Sequence, residues 1–240
     1  MNSPILLPEE IEALLQEAPH SRRSSFGSRE GLPRPLPYQQ EDPSQHSRHS
    51  RSFKKDLRLA GFPWVKTLSD FRFDLSPSLD SRMVEDLFDL SFLDRGENIV
   101  LSGPAHSGKT HLAVALGEKA ANLGLSVSFQ SFSTFLSELK KGENPAAGLA
   151  GFSSSLTARI LVLDDFGSDR VSREDSSRLL DFLSKRPLKG GVVLTSRVSL
   201  IGWNKIFRSD NLAEEILEHL LEHVSWVRLH PSDSLQNRQS

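Results

Sequence analysis

The chain contains no cysteine. That absence removes both a disulfide framework and any zinc site built on thiolates. No apolar run approaches the length of about 18 residues needed to cross a bilayer, so no membrane span is predicted. The amino terminus, MNSPILLPEEIE, has neither a basic leader nor a long apolar stretch, and does not read as a secretory signal. Together these absences predict a cytoplasmic protein. A net charge of −2 excludes little, because the basic residues are locally concentrated. The 240 residues leave room for one α/β domain of ordinary size with appendages.

What is present is organised around IVLSGPAHSGKTH, from Ile99 to His111. The apolar run Ile99, Val100, Leu101 ends at Ser102. Gly103 to Thr110 then fits G-x-x-x-x-G-K-[ST], and helix-forming sequence from Leu112 to Leu116 follows. Strand, glycine-bounded loop and helix, in that order, are the context that a phosphate-binding P-loop requires. Gly103 and Gly108 let the backbone curl, aiming its N–H groups and the positive end of the next helix at phosphate oxygens. The cradle so defined comprises Gly103, Pro104, Ala105, His106, Ser107, Gly108, Lys109, Thr110 and His111. Lys109 is expected to reach the β- and γ-phosphates and to serve catalysis, and the Thr110 hydroxyl to ligate Mg²⁺. The expected cofactors are ATP and Mg²⁺.

RILVLDDFG, from Arg159 to Gly167, is the second landmark. Its four consecutive apolar residues predict a strand buried on both faces, as a parallel sheet demands. The acids at its carboxyl end then fall where open α/β sheets bind ligands. Asp164 suits support of Mg²⁺, and Asp165 is placed to orient or deprotonate an attacking water.

The rest of the chain is read around these two points. Pro8, Ile11, Leu14, Leu15 and Ala18 suggest a short helix over residues 8–18. Residues 19–52 hold eight Ser, six Arg and five Pro with few large aliphatics, so they are predicted to be disordered. Residues 1–52 thus form an extension whose arginines, with Lys54, Lys55 and Arg58, are candidate contacts for DNA phosphates. Residues 53–95 read as a basic and aromatic lead-in that includes a helix from Leu79 to Leu93. The P-loop core is expected over 96–230 and a polar tail over 231–240. Within the core the spacing predicts a strand Leu125–Phe129, a helix Ser133–Lys141 and a flexible Gly/Ala/Ser connection over 142–157. A helix Ser172–Leu183, a strand ending at Ser196 and Arg197, a helix Leu212–Val224 and a closing segment Trp226–Leu229 follow. The fold class is α/β: a three-layer P-loop domain with a parallel sheet and helices on both faces. Little sequence follows Arg228 for a long helical lid.

These segments resemble the insertion-sequence helper ATPases of the IstB type, which are AAA+ proteins related to DnaA and to DnaC-type helicase loaders. The resemblance runs from about Lys54 to Leu229. It is carried by LRLAGFPWVKTLSDFRFD, LDRGENIVLSGPAHSGKTHLAVALG, ILVLDDFG, LTSRVSLIGWNKIF and LAEEILEHLLEH. It implies an ATP-hydrolysing oligomer that binds double-stranded DNA and helps a transposase act on its target. No membrane partner is implied. No helix-turn-helix or finger signature accompanies the DNA expectation, so that binding is expected to be independent of sequence. Four positions depart from the family pattern. His106 replaces a P-loop glycine, Asp165 a glutamate, Arg197 the sensor asparagine, and His219 a sensor arginine. An arginine is a permanent cation whereas histidine is mostly neutral near pH 7. The departures imply retained ATP binding with slow or DNA-dependent hydrolysis, in which Arg197 or Arg208 substitutes, one of them across a subunit interface. Two other readings share the same core: a DnaC-like helicase loader, and a nucleotide-gated DNA-binding scaffold that does not turn over. HLLEH, from His219 to His223, also matches the H-x-x-E-H zinc pattern. No glutamate follows Glu222 to complete a ligand set.

Overall fold

A computed structural model describes residues 60–64, 66–76, 79–141, 149–187, 190–203, 205–208 and 210–230. The expected helix over 8–18, the Ser/Arg/Pro-rich stretch, Lys54, Lys55, Arg58 and the polar tail lie outside the described residues. Two short 3-10 turns, Leu68–Asp70 and Phe73–Leu75, precede helix α1 (Ser81–Phe88). Strand β1 (Asn98–Ser102), helix α2 (Lys109–Asn122), strand β2 (Val127–Ser131) and helix α3 (Phe132–Lys141) follow. The second half adds α4 (Leu149–Thr157), β3 (Ile160–Asp164), α5 (Arg173–Lys185), β4 (Gly191–Ser196), α6 (Leu200–Trp203), α7 (Asp210–Leu221) and β5 (Val224–Arg228). All pairings are parallel, in the order β2-β3-β4-β1-β5.

Alternation along the strands separates two apolar layers, because successive side chains leave opposite faces of a sheet. Ile99, Leu101, Ile160, Val162 and Val193 pack on one side with Leu112, Ala113 and Leu116 of α2 and Val84 and Leu87 of α1. Val100, Leu161, Leu163, Val192 and Leu194 pack on the other with residues of α3, α5 and α7. The lead-in closes onto the first layer. A Cβ on Gly117 would lie 2.7 Å from the Phe62 ring, so only glycine admits that ring against α2.

Polar side chains tie these layers at a few points. Asn98 opens β1 and donates Nδ2 to the carbonyls of His219 and Leu220 at 3.3 and 3.1 Å, while its Oδ1 accepts from Val192 N–H at 2.9 Å. It therefore satisfies carbonyls that the end of α7 leaves without helical partners. Ser172 caps α5 by accepting the Asp175 N–H at 3.1 Å. The buried Arg186 donates to the carbonyls of Ser155, Ala158 and Gly191, and burial pushes its pKa down to about 10.

Several expected elements change shape. The helix predicted from Leu79 to Leu93 is broken: Leu90 takes a left-handed φ of 63° and Ser91–Leu93 forms a 3-10 turn. Asp89 Oδ1 accepts the Ser91 N–H at 2.7 Å, an alternative to helical bonding that short acidic side chains offer. Leu87, Leu90 and Leu93 are nonetheless buried, so their spacing reported burial rather than helix continuity. The connection expected to be flexible contains α4, whose Ser155 is fully buried against Ser128 at 3.0 Å between hydroxyls. The last long helix ends at Leu221, and Val224 instead pairs with Asn98 as the first residue of β5.

Candidate nucleotide-binding site

The site lies at the carboxyl ends of β1, β3 and β4, the end at which open parallel sheets bind ligands. The P-loop leaves β1 with Gly103 at φ 152°, where a Cβ would meet the Leu229 carbonyl oxygen at 2.2 Å. Gly108 has φ 94° and faces the Phe71 ring at 2.7 Å from the position of a Cβ. No side chain fits either place. His106 takes a left-handed φ of 60° without being glycine. Pro104, Ala105 and His106 are exposed, whereas Ser107 and Lys109 are buried. Lys109 Nζ donates to the Pro104 carbonyl and to Ser107 Oγ at 3.3 Å. Burial lowers the Lys109 pKa and the nearby Arg197 cation adds to that, while Asp165 and Asp164 oppose it.

Asp164 and Asp165 end β3 beside the P-loop. Thr110 Oγ1 donates to Asp164 Oδ1 at 2.9 Å, and Thr195 Oγ1 donates to the same oxygen at 2.6 Å. Thr195 Oγ1 in turn accepts the Asp165 N–H at 2.9 Å. Asp165 is held at φ 60° and receives a two-pronged pair from Arg197, Nε to Oδ1 at 2.9 Å and Nη2 to Oδ2 at 2.7 Å. That carboxylate raises the Arg197 pKa by hydrogen bonding and by its charge. The structure thus brings Lys109, Thr110, Asp164, Asp165 and Arg197 into one group. Thr195 is the member that sequence reasoning missed. Its only signal is a hydroxyl one residue before the polar end of an otherwise apolar strand.

The remaining candidates sit differently. The His111 ring faces the lead-in, with Nε2 at 3.2 Å from the Thr67 carbonyl oxygen and its edge against Phe71 at 5.3 Å between centroids. Asp70, Phe71, Arg72 and Ser76 line one concavity together with His106, Ser107, Gly108 and His111. Arg208 and His219 are exposed, and among the described residues neither side chain is hydrogen-bonded to the acidic group. The zinc pattern is not assembled on one helix, because α7 ends at Leu221 and leaves Glu222 and His223 in the following turn. Among the described residues no group of three or more His, Cys, Asp or Glu side chains is placed to hold a metal ion. Among them, too, no helix is long and apolar enough to cross a membrane.

A five-stranded parallel sheet flanked by helices, with a P-loop after β1 and paired acids at the end of β3, defines an α/β protein of the P-loop class. The chain belongs to the family described as IstB-like ATP binding protein, whose model matches residues 11–240. It is 36% identical over 219 residues to a protein of Pseudomonas aeruginosa named for ATP binding in insertion sequence IS21, covering 91% of this chain and 80% of that one. Its fold is similar to that of DnaI, with a TM-score of 0.56 at 18% identity over 69% of this chain and 91% of that chain. It is also similar to AMPPCP-bound DnaA from Aquifex aeolicus, with a TM-score of 0.52 at 19% identity over 68% of this chain and 50% of that chain.

Proposed function

We propose that the protein binds ATP with Mg²⁺ at the P-loop and hydrolyses it, slowly or under the control of duplex DNA, to regulate a transposase at its target. One observation carries this reading: the continuous chain Thr110–Asp164–Thr195–Asp165–Arg197, which links the P-loop helix to the ends of β3 and β4. The P-loop N–H groups and Lys109 bind the phosphates. Thr110 Oγ1 and Asp164 Oδ1 are hard oxygen donors 2.9 Å apart, a set that suits Mg²⁺ and unlike nitrogen or sulfur sets leaves its remaining positions to phosphate and water. The cation would neutralise phosphate charge as it develops. Asp165 orients the water that attacks the γ-phosphorus. The bond to the bridging oxygen breaks, ADP leaves with that electron pair, and the water's proton passes through Asp165 to solvent. The insertion-sequence family favours a transposase over a replicative helicase as the partner, and self-association would bring Arg208 of one copy to the nucleotide of the next.

The alternative is a nucleotide-gated DNA clamp, and the engagement of Asp165 by Arg197 is the observation in its favour. Steady-state ATP hydrolysis with and without long duplex DNA, measured beside Lys109→Ala, separates the two. Turnover that rises with DNA and vanishes in the variant is the expected result. ATP binding without turnover in either condition would make the protein a clamp.

A further inference from the structure

Among the described residues two large apolar side chains are exposed, Leu123 just past the end of α2 and Trp64 in the lead-in. Of the three tryptophans, Trp203 is fully buried and Trp226 is partly buried, its Nε1 donating to Ser102 Oγ at 2.7 Å. Trp64 is 48% exposed. The backbone on either side imposes that exposure. The Ala60 carbonyl accepts the Phe129 N–H at 2.7 Å on β2, an edge strand of the sheet. Gly61 follows at φ 87°, where a Cβ would lie 2.1 Å from the Phe129 carbonyl oxygen. Phe62 then turns inward against Gly117 and Phe129, with 5.3 Å between the two ring centroids. Beyond Trp64 the chain is tied again, where the His111 ring meets the Thr67 carbonyl. Between these ties Pro63, Trp64 and Lys66 face solvent. An indole presented on so fixed a strap loses little conformational freedom when it meets a partner.

The charge around Trp64 identifies the kind of partner. From Lys54 to Lys66 the sequence carries four cations, Lys54, Lys55, Arg58 and Lys66, against the single acid Asp56. Asp70, the next acid along the strap, has its Oδ2 bonded by the Thr67 N–H and hydroxyl at 2.9 Å each. Protein interfaces are enriched in tryptophan but depleted of lysine. Nucleic-acid surfaces instead interleave aromatic rings with cations. We propose that Trp64 is a DNA-contacting residue, its indole lying against a base of bound duplex while Lys66 meets an adjacent phosphate. Such a contact suits binding without sequence preference, because every base offers a π-face. Apolar side chains that enter a duplex do so between base steps, which they partly unstack and bend. The inference rests on the proposal that the protein binds duplex DNA, and adds to it a contact in the lead-in that packs on the P-loop helix.

The test reads the indole directly. Acrylamide quenching of tryptophan emission is measured on the full chain with and without long duplex DNA, and Trp64→Phe supplies the emission of the other two tryptophans. Trp64 is expected to be quenched freely without DNA and shielded once DNA is bound. Affinity gives a second readout. Trp64→Ala should weaken duplex binding by about fivefold or more, the lower end of what an aromatic contact to a base is worth. Trp64→Phe, which keeps an aromatic face, should retain most of the affinity. The salt slope of Trp64→Ala should match the parent's, because an apolar contact releases no counterions, whereas Lys66→Gln should make it shallower by about 0.9. Trp64 emission that stays quenchable with DNA bound overturns the inference, as does unchanged affinity in Trp64→Ala or an unchanged slope in Lys66→Gln. Shielding already present without DNA, and growing with protein concentration, assigns the indole to an interface between copies and overturns it too. The quenching is read on the parent chain, so it decides the matter even where Trp64→Ala fails to fold. If the full chain binds no duplex even at low salt, the DNA reading itself fails and the inference falls with it.

Discussion

His106 and Asp165 are the two non-glycine residues of the site that take a left-handed backbone, each at φ 60°. A left-handed residue costs about 1–2 kcal/mol when it carries a Cβ, less for short polar side chains that bond locally. Asp165 offsets part of this through the Thr195 hydroxyl and the Arg197 fork. His106 is exposed at the outer bend of the P-loop, and its ring lines the concavity shared with Phe71 and His111. His106→Gly is therefore expected to stabilise the folded chain by about 0.5–1 kcal/mol, the relief exceeding the entropy that glycine adds to the unfolded state. Thermal unfolding should move up by about 2 °C. A fall would mean that the imidazole contributes packing worth more than the strain. Thr195 is the other residue whose loss is felt twice. Thr195→Val keeps the shape but leaves Asp165 N–H without its acceptor and removes one donor from Asp164. A destabilisation of about 1–3 kcal/mol follows from the unsatisfied group. In the ATPase reading kcat should fall more than nucleotide affinity, because the phosphate cradle is untouched. Equal losses in both would place Thr195 among the binding groups.

At the scale of elements, the packing of α3 on α5 depends on one acid. Asp175 accepts Ser172 Oγ at 2.9 Å and pairs with Lys140 Nζ and Arg178 Nη1, each at 3.1 Å. Burial alone would raise its carboxyl, but the hydrogen bonds from Ser172 and Lys140 and the two cations outweigh it and hold the group below the ordinary carboxylate range. The sign follows directly. A carboxyl whose pKa is lower when folded contributes stability that is complete above its unfolded pKa of 3.8 and is lost as pH falls through the lower folded value. Asp175→Asn should thus cost about 2–3 kcal/mol near neutral pH, and the cost should shrink progressively as pH is taken below 3.8, read from urea midpoints along a pH series. A cost independent of pH would show that Asp175 acts through shape alone. The same scale marks where sequence reasoning stops. Runs such as Ile160–Leu163 are legible because a strand buried on both faces must be apolar at every position. The break at Leu90 is not, since a buried leucine looks alike in a helix and in a left-handed turn, and only Asp89 hints at the competing bond. α4 escapes for the opposite reason: its Gly, Ala and Ser residues are weak local signals, and the groups that hold it, Ser128, Arg186 and the Phe182 ring against Phe152, are distant in sequence.

For the whole molecule, the motif order fixes which strands must carry the site, and the strand order places β4 between β3 and β1 so that Thr195 and Arg197 meet both acids. That convergence was legible only in part. Lys109, Thr110, Asp164 and Asp165 announce themselves by spacing, whereas the bond between Arg197 and Asp165 joins residues 32 apart that only the pairing of β3 with β4 brings together. The proposed DNA recognition belongs to the same scale, since no single motif encodes it. The basic residues of the amino-terminal stretch, Arg22, Arg23, Arg29 and Arg34 among them, are the sequence's main electrostatic resource outside the core. Each phosphate contact releases condensed counterions, so the logarithm of affinity falls with the logarithm of salt by about 0.9 per contact on duplex DNA. If those four arginines all engage phosphates, replacing them by glutamine in the full chain should make the salt slope shallower by about 3.6. Such a change is a direct count, because it is insensitive to DNA sequence and to the nucleotide-dependent affinity of the core. An unchanged slope in the variant, with DNA still bound, would exclude those four arginines as phosphate contacts.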